Sequence, residues 1–143
     1  MRKVLIIIAL LAIAPSLSAQ KKLVWQLLEM TTYQTDGDQV ANLNYTPQFP
    51  AVLETQFEGQ EIVISGYLIP IDLEAGKYAL SKNPFTSCFF CGNAGPETVM
   101  ELNFAQDPGR FATDEYVMVK GILQLNRDGS GLFFVLNNAE IHG

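Results

Sequence analysis

The stretch that decides the fold is E-I-V-I-S-G-Y-L-I-P-I-D-L, residues 61–73. It is long and rich in β-branched and aromatic residues, a composition typical of a β-strand. Gly66 lies in its middle, and a glycine inside a strand often marks a sharp bend or bulge, as at the corner of a barrel. We therefore expect one long strand here, bent near its centre.

Four stretches farther along the chain also have the composition and alternation of strands, and turn residues separate them. They are K-Y-A-L-S (77–81), T-V-M-E-L-N-F (98–104), Y-V-M-V-K-G-I-L-Q-L (116–125) and L-F-F-V-L-N-N-A-E-I (132–141). The fourth strand of the five also has a glycine in its middle, Gly121. Two strands bent at a glycine favour a small closed barrel over a flat sheet.

The order of these elements predicts an all-β, five-stranded, OB-fold-like barrel with one short helix. A long first strand is followed by a hairpin, a third strand, a connection and a second hairpin. The connection at residues 105–114 is too short and turn-rich for a helix. The short helix is predicted at P-A-V-L-E-T-Q-F-E-G (50–59), because proline suits its first turn and Gly59 can end it. A β-sandwich of the same strands is the alternative.

The first 19 residues predict export. Arg2 and Lys3 precede an apolar run, residues 4–14, and the small residue Ala19 follows, which is the pattern of a signal peptide. The run is too short to span a bilayer. We expect a signal peptide at 1–19, an N-terminal arm with the short helix at 20–60, and the barrel at 61–143. The protein would then be periplasmic or secreted, with no stable membrane insertion after cleavage.

The acidic composition argues against several partners. The formal net charge is −6, and removing Arg2 and Lys3 leaves seven basic against fifteen acidic residues, a charge near −8. Such a surface repels phosphate backbones and anionic lipid headgroups, so nucleic-acid and membrane-surface roles are disfavoured. The sequence also lacks a G-x-S-x-G motif or another hydrolase arrangement. We therefore predict a non-enzymatic protein.

The main candidate site is the stretch S-C-F-F-C-G-N-A-G-P-E (87–97), which holds the chain's two cysteines, Cys88 and Cys91. Export to an oxidising compartment favours a local disulfide between them. The ring that it closes is very small, so the entropic stabilisation of the fold would be small as well. The disulfide would serve to pin the loop between the second and third strands.

Two other interpretations of the cysteines stay open. A zinc site needs about four ligands, and His142 with Glu97 or Glu101 could join the two thiols if the last strand returned toward the loop. A thiol–disulfide oxidoreductase would require a cysteine with a lowered pKa, usually at a helix N-terminus. The glycines and proline after Cys91 do not suit a helix there, so this third interpretation is the weakest.

Three phenylalanines, Phe85, Phe89 and Phe90, accompany the cysteines. Buried aromatic residues are common, so we expect these side chains to cover the end of the barrel as ordinary core. The alternative is an exposed apolar patch, which would mark a surface for a partner protein.

The blocks E-G-Q-E-I-V-I-S-G-Y-L-I-P (58–70) and C-F-F-C-G-N-A-G-P-E-T-V-M-E-L (88–102) resemble an uncharacterised family of small exported bacterial proteins. A G-Y-L-x-P strand and a C-x-x-C-G-x-x-G-P-E loop carry the resemblance, which covers roughly residues 24–141. It implies an OB-like barrel and an accessory role beside an envelope protein or transport system, sometimes connected with metal handling. It implies no enzymatic activity.

Overall fold

The computed structural model describes residues 20–35 and 45–143, and the predicted signal peptide lies outside them. The strands are β1 (Lys21–Lys22), β2 (Thr32–Thr35), β3 (Tyr45–Gln48), β4 (Glu61–Asp72), β5 (Lys77–Ser81), β6 (Val99–Phe104), β7 (Glu115–Leu125) and β8 (Phe134–Ile141). The helical turns are α1 (Trp25–Leu28), a π-helical turn (Leu53–Phe57) and three 3-10 turns (Phe85–Ser87, Phe89–Cys91 and Pro96–Thr98). Within this part of the chain, every helix is too short to cross a bilayer.

Strands β4 to β8 close into a five-stranded barrel. Strand β4 pairs antiparallel with β5, and β5 pairs antiparallel with β6. Strand β6 pairs in parallel with β8, β8 pairs antiparallel with β7, and β7 returns to β4. This order confirms the predicted OB-fold-like barrel. The sandwich alternative is wrong, because β4 pairs with both β5 and β7, so that these five strands form one continuous closed sheet; β2 and β3 form a separate two-stranded sheet.

The two mid-strand glycines lie where the strands bend. Strand β4 pairs with β7 along residues 61–68 and with β5 from Tyr67 onward, so it changes neighbour next to Gly66. A Cβ atom at Gly66 would lie 2.6 Å from the Ser81 carbonyl oxygen, and one at Gly121 would lie 2.7 Å from the Leu136 side chain. Glycine is therefore required at both positions for the neighbouring strands to approach this closely.

Alternate residues of the barrel strands fill the core. The alternating apolar residues of β7, which include Val117, Val119 and Leu123, are buried, and so are Met100 and Leu102 on β6. Each fully buried aliphatic side chain contributes about 1.5–3 kcal/mol of hydrophobic stabilisation. On β7 the two-residue alternation of the sequence therefore assigns the inner and outer faces correctly, whereas on β5 four consecutive residues are buried.

The described part of the N-terminal arm packs on the barrel. Strand β1 adds to the edge of β4 in parallel, and Trp25 donates from Nε1 to the Ser65 carbonyl oxygen at 2.7 Å. Leu28 of α1 is fully buried. The predicted helix at 50–59 is confirmed as a short helical segment that buries Leu53 and ends before Gly59, whose φ is +72°.

Candidate functional site: the cysteine loop

Residues 82–98 connect β5 to β6, and we call them the cysteine loop. Its neck continues the ladder between the two strands, since Ser81 pairs with Val99 and the Lys82 N–H donates to the Thr98 carbonyl oxygen at 3.0 Å. The Thr98 hydroxyl donates to the Gly95 carbonyl oxygen at 2.7 Å. The loop therefore leaves the barrel through a hydrogen-bonded base.

The centre of the loop is held by its own backbone. The Cys88 carbonyl oxygen accepts the N–H groups of Cys91 and Asn93, both at 3.3 Å. The Asn93 side chain donates back to the Thr86 carbonyl oxygen at 2.9 Å. Gly92, with φ +73°, ends the 3-10 turn that carries Cys91. These bonds leave the loop few alternative conformations.

Asp114 ties the loop to the barrel. Its carboxylate Oδ1 accepts the Phe85 N–H at 2.6 Å, and its own N–H donates to the Leu68 carbonyl oxygen at 3.0 Å. Asp114 has φ +66°, a left-handed conformation that aspartate tolerates better than most residues. Sequence reasoning missed this residue, because its partner lies 29 residues away and no local pattern reports such a contact.

Both cysteines are free thiols, and their sulfurs are not at disulfide distance. The structure thus does not contain the predicted disulfide, although both residues belong to one turn. Cys88 is buried and Cys91 is exposed. Local desolvation of the thiol, together with the neighbouring Cys88 thiol, raises the pKa of Cys91. A raised pKa lowers the thiolate fraction, which is the opposite of what an attacking cysteine in an oxidoreductase needs.

The predicted zinc ligands do not come together. Strand β8 runs parallel to β6, which begins at the cysteine loop, so β8 carries His142 away from the loop. The His142 N–H donates to the Met118 carbonyl oxygen at 2.7 Å. Across residues 20–35 and 45–143, no group of three or more His, Cys, Asp and Glu side chains is placed to share a metal ion. The expectation that His142 returns to the loop is therefore wrong.

Glu97 occupies the neck of the loop. Its carboxylate folds back over Gly95, where an added Cβ atom would lie 2.2 Å from Oε2. The same Oε2 atom is buried and has no hydrogen-bond partner in the described part of the chain. Leaving a carboxylate oxygen unpaired costs free energy, so this residue contributes to the shape of the neck at some expense in stability.

The phenylalanines are exposed. Phe85 keeps 41% and Phe90 keeps 43% of its surface accessible, and Phe89 is half-buried against Phe90 with ring centroids 5.6 Å apart. The expectation that they cover the barrel as ordinary core is wrong. The core cluster instead includes Trp25 and Leu28 of α1 and none of the three phenylalanines.

The exposed aromatic surface extends from the loop to the barrel wall. Tyr116 of β7 is 63% exposed. It lies two residues after Asp114, whose carboxylate accepts the Phe85 N–H, so the backbone of Tyr116 lies near that of Phe85. Its ring contacts that of Tyr67 on β4, with centroids 5.0 Å apart. We call Phe85, Phe90, Tyr67 and Tyr116 the aromatic patch. Exposed aromatic side chains that lie near one another are typical of interaction sites.

Comparison with known proteins gives a similar fold but no activity. The sequence matches no protein-family profile and no curated protein. A crystal structure of a DUF3299 family protein from Pseudomonas aeruginosa PAO1 has a similar fold, with a TM-score of 0.54 and 14% identity. The match covers 87% of this chain and 97% of that chain. DUF3299 is an uncharacterised family, which agrees with the resemblance to an uncharacterised family found in the sequence.

Proposed function

We propose that this chain is an exported, non-enzymatic accessory protein of the bacterial envelope that binds a partner protein through the aromatic patch. The observation that carries the proposal is the exposure of Phe85 and Phe90, 41% and 43%, on a loop that backbone and side-chain hydrogen bonds hold at several points. A loop that only connected two strands would gain nothing from exposing large aromatic side chains, because their burial is favourable.

The rigidity of the loop supports this role. Binding is penalised by the ordering of flexible segments, so a surface that is already ordered binds more tightly for the same contacts. Asp114 holds the phenylalanine-bearing segment at Phe85, and the Asn93 side chain, which follows the segment, donates back to the Thr86 carbonyl oxygen near its start. Aromatic residues near the centre of an interface also provide much of its binding energy. The patch therefore has the residue types and the fixed backbone of a binding surface.

We also propose that Cys88 and Cys91 close into a disulfide in the exported protein. The two thiols would lose two protons and transfer two electrons to a disulfide-bearing oxidant, and the bond would pin the turn between them. Their positions at the first flanking residue and the last residue of one 3-10 turn support this proposal. The mass of the protein isolated from the envelope without reductant should be two daltons below that of the reduced protein. Two free thiols in the isolated protein would contradict this part.

Site-specific photo-crosslinking in the bacterial envelope tests the binding surface. A benzophenone amino acid at Phe90 should give one discrete crosslinked product, and the additional change Phe85→Ser should suppress it. The matched control is the same probe at Leu73, an exposed apolar residue at the opposite ends of β5 and β6. Equal crosslinking from both positions, or none from Phe90, would contradict the proposal.

Cell fractionation tests the location separately. The protein should be found in the periplasmic or secreted fraction, with a mature N-terminus near residue 20. Recovery of the full-length chain in the cytoplasm would contradict export while leaving the binding surface to be judged by the crosslinking experiment.

A further inference from the structure

A groove at the opposite ends of β5 and β6 from the cysteine loop forms a second candidate site. It has a volume of about 740 Å³ and lies between the β4–β5 turn and the β6–β7 connection. The residues that line it include Leu73, Glu74, Lys77, Phe104, Asp107 and Arg110. We propose that this groove binds a small organic anion that also carries an apolar group. This inference does not depend on the proposed function of the aromatic patch.

Two fixed turns present the groove's cations. In the β4–β5 turn, the Asp72 carboxylate accepts the N–H groups of Glu74 and Ala75, both at 3.0 Å, and Gly76, with φ +63°, precedes Lys77. These contacts fix the backbone directly before the lysine, so that one wall of the groove is ordered before any ligand binds.

The opposite wall is built in the same way. The Asp107 carboxylate accepts the Gly109 N–H at 2.9 Å, and Gly109, with φ +80°, precedes Arg110. The hydroxyl of the buried Tyr78 donates to the Gly109 carbonyl oxygen at 3.3 Å, which joins this turn to the barrel. Each wall therefore places a cation directly after a turn that an aspartate and a glycine hold.

Lys77 and Arg110 differ from most of the other cations in the described part of the chain. Lys82, Lys120 and Arg127 form ion pairs with glutamates there. Lys77 and Arg110 form neither an ion pair nor a side-chain hydrogen bond within residues 20–35 and 45–143. In an acidic chain, two unpaired cations that face one groove favour an anionic ligand, and an arginine can bind a carboxylate or sulfonate through two parallel hydrogen bonds.

The remaining lining suits the apolar part of such a ligand. Leu73 is 61% exposed, and Phe104 is half-buried beside it in the lining of the groove. The volume lies within the range of small-molecule sites, about 300–1,000 Å³. Two carboxylates of the lining, Glu74 and Asp107, would oppose an anion, and Asp107 is the one that also accepts a backbone N–H.

The probe for this site is 8-anilinonaphthalene-1-sulfonate, a fluorescent anion with two aromatic groups, titrated into the folded full chain. We expect the double variant K77Q/R110Q to bind it roughly tenfold more weakly, from the loss of two exposed ion pairs. Glu74→Gln should bind it about twofold to threefold more tightly, because a repulsive charge is removed. The uncharged analogue N-phenyl-1-naphthylamine should bind the wild type and the double variant equally.

Matched controls separate this site from other apolar surfaces. Lys22→Gln removes a cation of β1 that forms no ion pair with the described residues and lies outside the groove, and it should change the probe's affinity less than twofold. The unfolding midpoint of each variant shows that the fold is retained. Unchanged affinity in K77Q/R110Q would overturn the proposal. So would fluorescence lost in a Phe85→Ser/Phe90→Ser variant, because the probe would then occupy the aromatic patch.

Discussion

Replacing Asp114 tests whether the cysteine loop is held by its bond to the barrel. The Asp114 carboxylate accepts the Phe85 N–H at 2.6 Å, and the residue itself has φ +66°. Asp114→Ala removes the acceptor and also puts an alanine in a left-handed conformation. The bond is exposed, so its loss should cost about 1 kcal/mol, and the conformation should cost alanine about 1–2 kcal/mol.

Two further variants separate these contributions. Asp114→Gly also lacks the carboxylate but adopts a positive φ without strain, so it should cost only about 1 kcal/mol. Asp114→Asn keeps an acceptor and tolerates the conformation, so it should cost less than about 1 kcal/mol. Urea unfolding measures all three free energies. The expected order of stability is wild type, then Asn, then Gly, then Ala.

Hydrogen exchange measures the effect at the loop itself. In Asp114→Gly the Phe85 amide should exchange about five to ten times faster than in the wild type, because about 1 kcal/mol corresponds to that factor. The Leu80 amide in β5 should keep its protection apart from the change in global stability. Equal protection of the Phe85 amide in wild type and Asp114→Gly would refute the reasoning, because the loop would then be held by its internal bonds alone.

Three further predictions concern the barrel and the thiols. Gly66→Ala should cost about 2–4 kcal/mol in urea unfolding, because the added methyl group would lie 2.6 Å from a β5 carbonyl oxygen. Arg127 lowers the pKa of Glu58 through a side-chain hydrogen bond. This pair therefore stabilises the fold above the unfolded pKa of glutamate, and the stabilisation is lost as the pH falls through the folded pKa. Arg127→Ala should flatten the pH dependence of the free energy of unfolding between about pH 5 and 3, and it should cost about 1 kcal/mol at pH 7. In the reduced protein, Cys91 should react with iodoacetamide at pH 8 more slowly than an unperturbed thiol, since its pKa is raised, and Cys88 should stay unmodified until the protein unfolds.

The barrel could be predicted because its signals are local. Alternation with a period of two assigns the inner and outer faces of β7, and Gly66 and Gly121 mark bends within their own strands. The positive φ of Gly59 at the end of the short helix is also a local property. None of these features depends on which strands become neighbours across the barrel, so a single sequence is sufficient to find them.

The errors at the candidate site arise from contacts between distant parts of the chain. Whether His142 reaches the cysteine loop depends on the direction of β8 relative to β6, and the parallel pairing sends it away. Whether Phe85 and Phe90 are buried depends on how the whole cysteine loop lies on the barrel, and neither residue belongs to the core. The Asp114 contact spans 29 residues. Such pairings follow from the packing of the whole molecule, and no short stretch of sequence specifies them.

The barrel also determines how its two candidate surfaces relate to each other. Strand β5 has five residues, so it separates the neck of the cysteine loop from the groove by about 17 Å at roughly 3.4 Å per residue. Tyr78, Ala79, Leu80 and Ser81 along this strand are all buried, and a close-packed core resists a sliding motion of one strand. An anion in the groove should therefore leave the aromatic patch unchanged, and K77Q/R110Q should not alter crosslinking from Phe90. If that variant did change the crosslinking, the two ends of the barrel would be coupled, and β5 would have two alternative positions rather than one.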